Sequence, residues 1–112
     1  MNKWVKRKWV RALRSGEYEQ TQGCLVQLES SNGRDKGHCC LGVLACEMVP
    51  EFVKPDPGYM NTVCHINDET DFLPDELAAL WGLSQDDQNR LATQNDDRKS
   101  FAYIADWIEE NL

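Results

Sequence analysis

The sequence predicts an α+β fold, mostly helical, in a single compact domain over residues 1–112. Three observations carry this. The first fourteen residues repeat their apolar positions at helical spacing, the last third holds three capped helical patterns, and between them an alternating run meets an Asn-Gly turn signal. At 112 residues, 41% hydrophobic and 28% charged, the chain has the size of one domain. Such a domain buries about two thirds of its unfolded surface.

The first element is a basic N-terminal helix. Residues 1 to 14 hold Lys3, Lys6, Arg7, Lys8, Arg11 and Arg14 and no acid. The rest of the chain sets six basic against nineteen acidic side chains, so a basic arm precedes an acidic body within a net charge of −7. At about 100° per residue, Val5, Trp9, Ala12 and Leu13 gather on one face. Lys3, Arg7, Lys8, Arg11 and Arg14 take the opposite arc, and Trp4 projects toward the basic side. Such a helix docks its apolar face and pairs its cations with acids of the body or of a partner subunit. Contact with phosphates beside a stacking aromatic, or with a membrane surface, are the other readings. An acidic body repels polyanions, which argues against direct nucleic-acid binding.

A small β-hairpin follows. Cys24 to Glu29 is β-prone, Asn32-Gly33 supplies the turn, and the return runs through Gly37 to Cys40. The loop Gly33, Arg34, Lys36, Gly37 lacks the Lys-Ser/Thr ending of a phosphate-binding loop. From Cys40 the pattern becomes a central buried helix, with Val43, Leu44 and Met48 on one side and Gly42 allowing close backbone approach, until Pro50 stops it.

Three cysteines in this stretch raise the question of a metal. Zinc ligands must bring their sulfurs within about 4 Å of one another. In a helix Cys39 and Cys46 stand about 10 Å apart along the axis, and Cys40 and Cys46 about 9 Å. The C-x2-C spacing of a zinc knuckle is absent, so no metal or other cofactor is expected and the cysteines read as small buried hydrophobes. The one set that the fold can still assemble is His38, Cys40, Cys64 and His65. A Cys/His nucleophile would draw on the same residues or on Cys39.

Between residues 50 and 72, Pro55 and Pro57 break the chain, and Tyr59 to Ile66 is a candidate strand. Asn67 to Asp71 is acidic but lacks the glycine and final Glu of a calcium loop, so it reads as solvated. The three C-terminal helices come next. Pro74 opens the first, with Asp75 and Glu76 complementing the dipole before Leu77, Ala78, Leu80 and Trp81, and Gly82 ends it. Ser84 caps the second, which runs to Asn95. Ser100 caps the third, whose stripe is Phe101, Ile104, Ala105, Ile108 and Leu112, flanked by Tyr103 and Trp107, which complete the core or, as the second reading, offer an aromatic contact to a partner.

The segments Trp9 to Gln20, Cys39-Cys40-Leu41-Gly42-Val43-Leu44, Leu73 to Leu77, Trp81-Gly82-Leu83, Asn95-Asp96 and Ser100-Phe101 with Ile104 to Glu109, in that order, resemble a group of small proteins of tailed bacteriophages and prophages. The resemblance covers nearly the whole chain and brings no catalytic residues with it. It implies a viral, anti-defence or host-redirecting accessory protein at work in the cytoplasm of an infected bacterium. The odd cysteine count, a charged N-terminus without a signal peptide and the lack of an apolar run of about 18 residues agree with that compartment.

Two function classes follow, neither of them an enzyme. In the first and preferred one, a non-enzymatic inhibitor occupies a basic groove of a host protein with its acidic surface, through Asp68, Glu69, Asp71, Asp86, Asp87, Asp96 and Asp97. In the second, a ligand-binding protein sequesters a nucleotide signal, alone or as a homo-oligomer, using Trp4, Lys6, Arg7, Arg11, Arg34 and Tyr59. One continuous acidic face favours the first; cations converging on one concavity favour the second. A zinc- or Cys/His-dependent enzyme is the remaining reading.

Overall fold

The computed structural model describes residues 1–29 and 35–112; the Asn32-Gly33 turn, Gly33 and Arg34 lie outside the described residues. Helix α1 (Lys3–Arg14) starts where Asn2 Oδ1 accepts from the backbone N–H groups of Trp4 and Val5, at 2.9 and 3.0 Å. Its buried face is Val5, Trp9, Val10, Ala12 and Leu13. The indole Nε1–H of Trp9 donates to the Cys40 carbonyl at 2.8 Å and fastens α1 to the start of helix α2 (Cys40–Met48).

Helix α2 is the interior helix. Cys40 through Ala45 are all buried, so the one-sided face expected of Val43, Leu44 and Met48 is replaced by burial all round, with Met48 only half covered. Cys39 caps α2 rather than joining it, its Sγ accepting from the Gly42 N–H at 3.4 Å. Gly42 is indispensable here: a Cβ would fall inside the Leu25 carbonyl, because α2 lies directly on the backbone before the hairpin.

That hairpin pairs β1 (Val26–Leu28) with β2 (Asp35–His38), antiparallel, Val26 opposite His38 and a bulge between Gln27 and Leu28. A second antiparallel pair, β3 (Lys54–Pro55) and β4 (Cys64–His65), joins the first through a bridge between Gln27 and Val63. The strand expected over Tyr59–Ile66 therefore contracts to Cys64–His65. Pro57–Tyr59 form a 3-10 turn, and Met60 and Asn61 follow with φ of 55° and 58°. Left-handed residues cannot continue a strand.

Three helices complete the chain: α3 (Asp75–Trp81), α4 (Gln85–Asp96) and α5 (Phe101–Asn111). Pro74 stands just before the first turn of α3, where its carbonyl accepts from Ala78, rather than inside it. Gly82 closes α3 at φ 75°. Ser84 and Asp87 form a reciprocal capping box on α4, and Ser100 Oγ accepts from Tyr103 N–H on α5. Helix α5 packs against both α1 and α4 through Ile104, Ala105 and Ile108. Tyr103 is half exposed under the Lys99 ammonium, so the core expectation does not hold for it, whereas Trp107 is half-buried and packs against the core. Leu80 on α3 faces solvent at 73% exposure.

Buried polar groups stitch these elements together. Asn95, fully buried on α4, accepts on Oδ1 from the Cys40 N–H and from Gln20 Nε2, and donates from Nδ2 to the Thr21 carbonyl at 2.7 Å. Gln88 Oε1 accepts from the Leu73 N–H at 2.9 Å. Each closes a backbone group that burial would otherwise leave without a partner.

Candidate functional site: a basic groove between the first and last helices

Helix α1 turns two chemistries outward from one cylinder. Below its apolar face, an open groove of about 940 Å³ runs between α1 and the C-terminal turns of α5. Lys3, Lys6, Arg7, Arg11 and Arg14 form the basic wall, Val10 the floor, and Glu109 and Glu110 the opposite rim. Five cations against two carboxylates leave a formal charge of +3 in a protein whose net charge is −7.

Two of those cations are occupied. Arg14 reaches Asp106 at 2.7 Å and Glu109 at 2.9 Å, and these bonds, Glu109 first, raise its already high pKa while holding the Glu109 carboxyl below the usual range. Lys6 Nζ donates to the Glu109 carbonyl at 3.0 Å, a cation on the negative end of a helix. Both residues tie α5 to α1. Lys3, Arg7 and Arg11 make no ion pair among the described residues. Their i, i+4, i+8 spacing stacks them about 6 Å apart along one wall. Lys3 also sits in the first turn of α1, where no acid balances it. Positive charge at the positive end of a helix dipole costs stability and attracts anions.

Of the ligand set read from sequence, Lys6, Arg7 and Arg11 meet in this groove. Trp4 stands beside it on α1, 62% exposed, with the Lys8 ammonium 5.5 Å from its ring centre. Tyr59 does not line the groove but ends the 3-10 turn near β3, and Arg34 lies outside the described residues. Sequence reasoning missed Lys3 and Arg14, whose helical phase with Arg7 and Arg11 was the available signal. It also missed Glu109 and Glu110, for which no local signal exists.

The acidic set is spread over the molecule. Asp86 and Asp87 open α4, Asp87 being used in the capping box, whereas Asp96 and Asp97 end it. Ten residues of helix separate the two groups by about 15 Å. Asp96 accepts from the Gly23 N–H at 3.0 Å and shares with Asp71 a small cavity of about 120 Å³ beside Cys24 and Cys39. Asp68 lies in the turn after β4, 3.6 Å from His65 Nδ1, and Glu69 is bridged through its backbone to Ile66.

The cysteines and histidines reach different surroundings. Cys40 Sγ donates to the Leu91 carbonyl at 3.6 Å, inside the helical core. Cys64 is buried on β4, whose neighbour His65 turns to Asp56 at 3.5 Å and to Asp68. His38 is buried on β2 with its ring edge-on to Tyr18, whose hydroxyl donates to Glu47 Oε2 at 2.6 Å. Burial, then that bond, pushes the Tyr18 hydroxyl pKa up. Burial likewise pushes the Cys39 thiol up to about 12 and the Cys40 thiol well above its ordinary value. Cys24 is raised as well, by burial and then by Asp71 and Asp96. Thiols held neutral in this way are poor nucleophiles. Among the described residues no three His, Cys, Asp or Glu side chains gather as a metal-ligand set, and no helix is long and apolar enough to cross a membrane.

The molecule is thus a small α+β domain with an open, basic, helix-lined groove. The chain belongs to a family described as a domain of unknown function, DUF8296, which it matches over residues 1–112. No curated protein and no solved structure matches it.

Proposed function

We propose that this is a binding protein without chemistry of its own, which holds a phosphate-bearing ligand of the nucleotide class in the groove between α1 and α5. One observation carries the reading: Lys3, Arg7 and Arg11 line one concave wall with no carboxylate of their own, while Lys6 and Arg14 brace that wall against α5. A polyphosphate supplies the charge that this wall lacks, and Trp4 at the edge offers a ring face to a base. The alternative, an acidic face laid into a host protein's groove, draws on carboxylates at opposite ends of α4 and in the 68–71 turn, and is the weaker of the two for that reason. In the infected bacterium that the sequence resemblance implies, such a protein removes a nucleotide signal from circulation.

Calorimetric titration with ATP and with a cyclic dinucleotide, at roughly 50 and 200 mM salt, tests this. Saturable binding that weakens with salt, and falls at least tenfold in Arg7→Glu/Arg11→Glu, is expected. Absence of binding to both probes overturns the reading. So does recovery from infected cells of a stoichiometric protein partner that the double variant still retains.

A further inference from the structure

The spacing of the cations along α1 says more about the ligand than their number does. Lys3, Arg7 and Arg11 follow one another in steps of about 6 Å, so the wall offers three positive positions over about 12 Å. All three are exposed, and with Lys6 and Arg14 held against α5 they are the groove's cations left to a ligand. Adjacent phosphorus atoms of a polyphosphate share a single oxygen, which sets them closer together than these cations. Such a chain crowds its charge onto part of the wall. In an oligonucleotide a whole sugar lies between one phosphodiester and the next, so an open strand spreads its charges over the wall one position at a time.

The surroundings limit the length of that strand. Glu17 and Glu19 follow the C-terminal end of α1, and Glu109 and Glu110 form the rim opposite the cations. A strand that reaches past the wall runs onto carboxylates of a protein whose net charge is −7, so a long polyanion is repelled where a short one is held. Trp4, next to Lys3 in the chain, supplies a stacking surface at the edge of the wall. Its ring is 62% exposed, and the Lys8 ammonium stands over one face, 5.5 Å from the centre. Cationic grooves with an aromatic alongside are the usual arrangement for single-stranded nucleic acid, because every base has a ring face to stack.

We propose that the groove takes a short, open, single-stranded oligonucleotide, with three consecutive phosphodiesters on Lys3, Arg7 and Arg11 and one base stacked on the face of Trp4 that Lys8 does not cover. The claim rests on reading this groove as a nucleotide site. It narrows the ligand from any phosphate-bearing nucleotide to one whose phosphates are spaced by sugars.

The test titrates the full chain with a thymidine tetranucleotide that has three phosphodiesters and no terminal phosphate, beside inorganic tripolyphosphate, ATP and the dinucleotide with one phosphodiester. The tetranucleotide should bind roughly tenfold tighter than each of the others, although tripolyphosphate and ATP concentrate more charge in less space. Its log affinity should fall against log salt with a slope of about −2, at about 0.7 per phosphate held, and Arg7→Gln should make that slope shallower by about 0.7. Trp4→Ala should weaken binding about fivefold or more and leave the slope as it was. Circular dichroism reports that both variants keep their helices. Tripolyphosphate or ATP binding as tightly as the tetranucleotide overturns the proposal and leaves the nucleotide reading standing, since the wall then counts charge without regard to spacing. A slope unchanged in Arg7→Gln overturns it as well, because the strand then lies off this wall. Failure of the tetranucleotide to bind also overturns it, and the titrations with ATP and the cyclic dinucleotide then decide whether the nucleotide reading falls with it.

Discussion

Helices α1 and α2 touch through the Trp9–Cys40 bond, yet one is divided lengthwise into an apolar and a cationic half while the other is covered on every side. Their sequences explain the difference. Cationic residues occupy half of α1, whereas Cys40-Leu41-Gly42-Val43-Leu44-Ala45 offers water nothing to solvate. The contrast teaches where to look for function. The cysteine-rich helix is the centre of the fold, and the cations that it leaves on its neighbour line the groove. Mutations in α2 should therefore act on stability and mutations on the outer wall of α1 on binding.

The sharpest break of that division is Gly42→Ala. The new methyl meets the backbone of Leu25, which has no rotamer to move to, so a loss on the order of 4 kcal/mol, or no folded protein at all, is expected in urea denaturation. Next comes Asn95→Ala, which strips partners from the Cys40 N–H and the Thr21 carbonyl and should cost about 3 kcal/mol in the same assay. A cost under about 1 kcal/mol would mean that water enters and that the start of α2 is less enclosed than it looks.

Alkaline pH distinguishes the two helices more gently. A thiol whose pKa is raised in the folded state contributes stability that is whole below its unfolded value, near 8.5, and is lost as pH climbs toward the folded value. For Cys39 that window extends up to about 12, and Cys40 acts in the same direction. The free energy of unfolding should therefore fall steadily above pH 9, by about 1.4 kcal/mol per pH unit for each thiol, and Tm with it. Cys39→Ser, which keeps a capping oxygen and removes one titration, should flatten the slope. An unchanged slope would place the alkaline sensitivity elsewhere. Smallest of all is the stability effect of Arg7→Glu/Arg11→Glu, within about 0.5 kcal/mol because both side chains are exposed and unpaired. A larger loss would show that α1 needs these cations to fold and would blur the division.

Much of this architecture could be read locally. The starts of α4 and α5 follow from Ser84 and Ser100, the end of α3 from Gly82, and the divided face of α1 from its periodicity. Capping and amphipathicity involve residues within a turn or two of each other, so the chain order alone reveals them. The reading failed where neighbours in space are distant in sequence. The strand over Tyr59–Ile66 shrank because Met60 and Asn61 turn left-handed to carry the chain back toward β3 and β1. Tyr103 moved from core to surface because α4 covers only part of α5, while Trp107 stays packed at the edge of the core.

By itself, then, the sequence determined an α+β chain with a cationic first helix, a buried cysteine-bearing second one and capped helices after it, because each depends on short-range periodicity and hydrogen bonding. Only the tertiary structure decided which charges are left over. Arg14 and Lys6 are spent on α5, ninety and more residues away, whereas Lys3, Arg7 and Arg11 are not. Whether a cation is compensated depends on Coulombic interactions that fade beyond about 10 Å of space but whose partners can stand anywhere along the chain, so it is settled by packing.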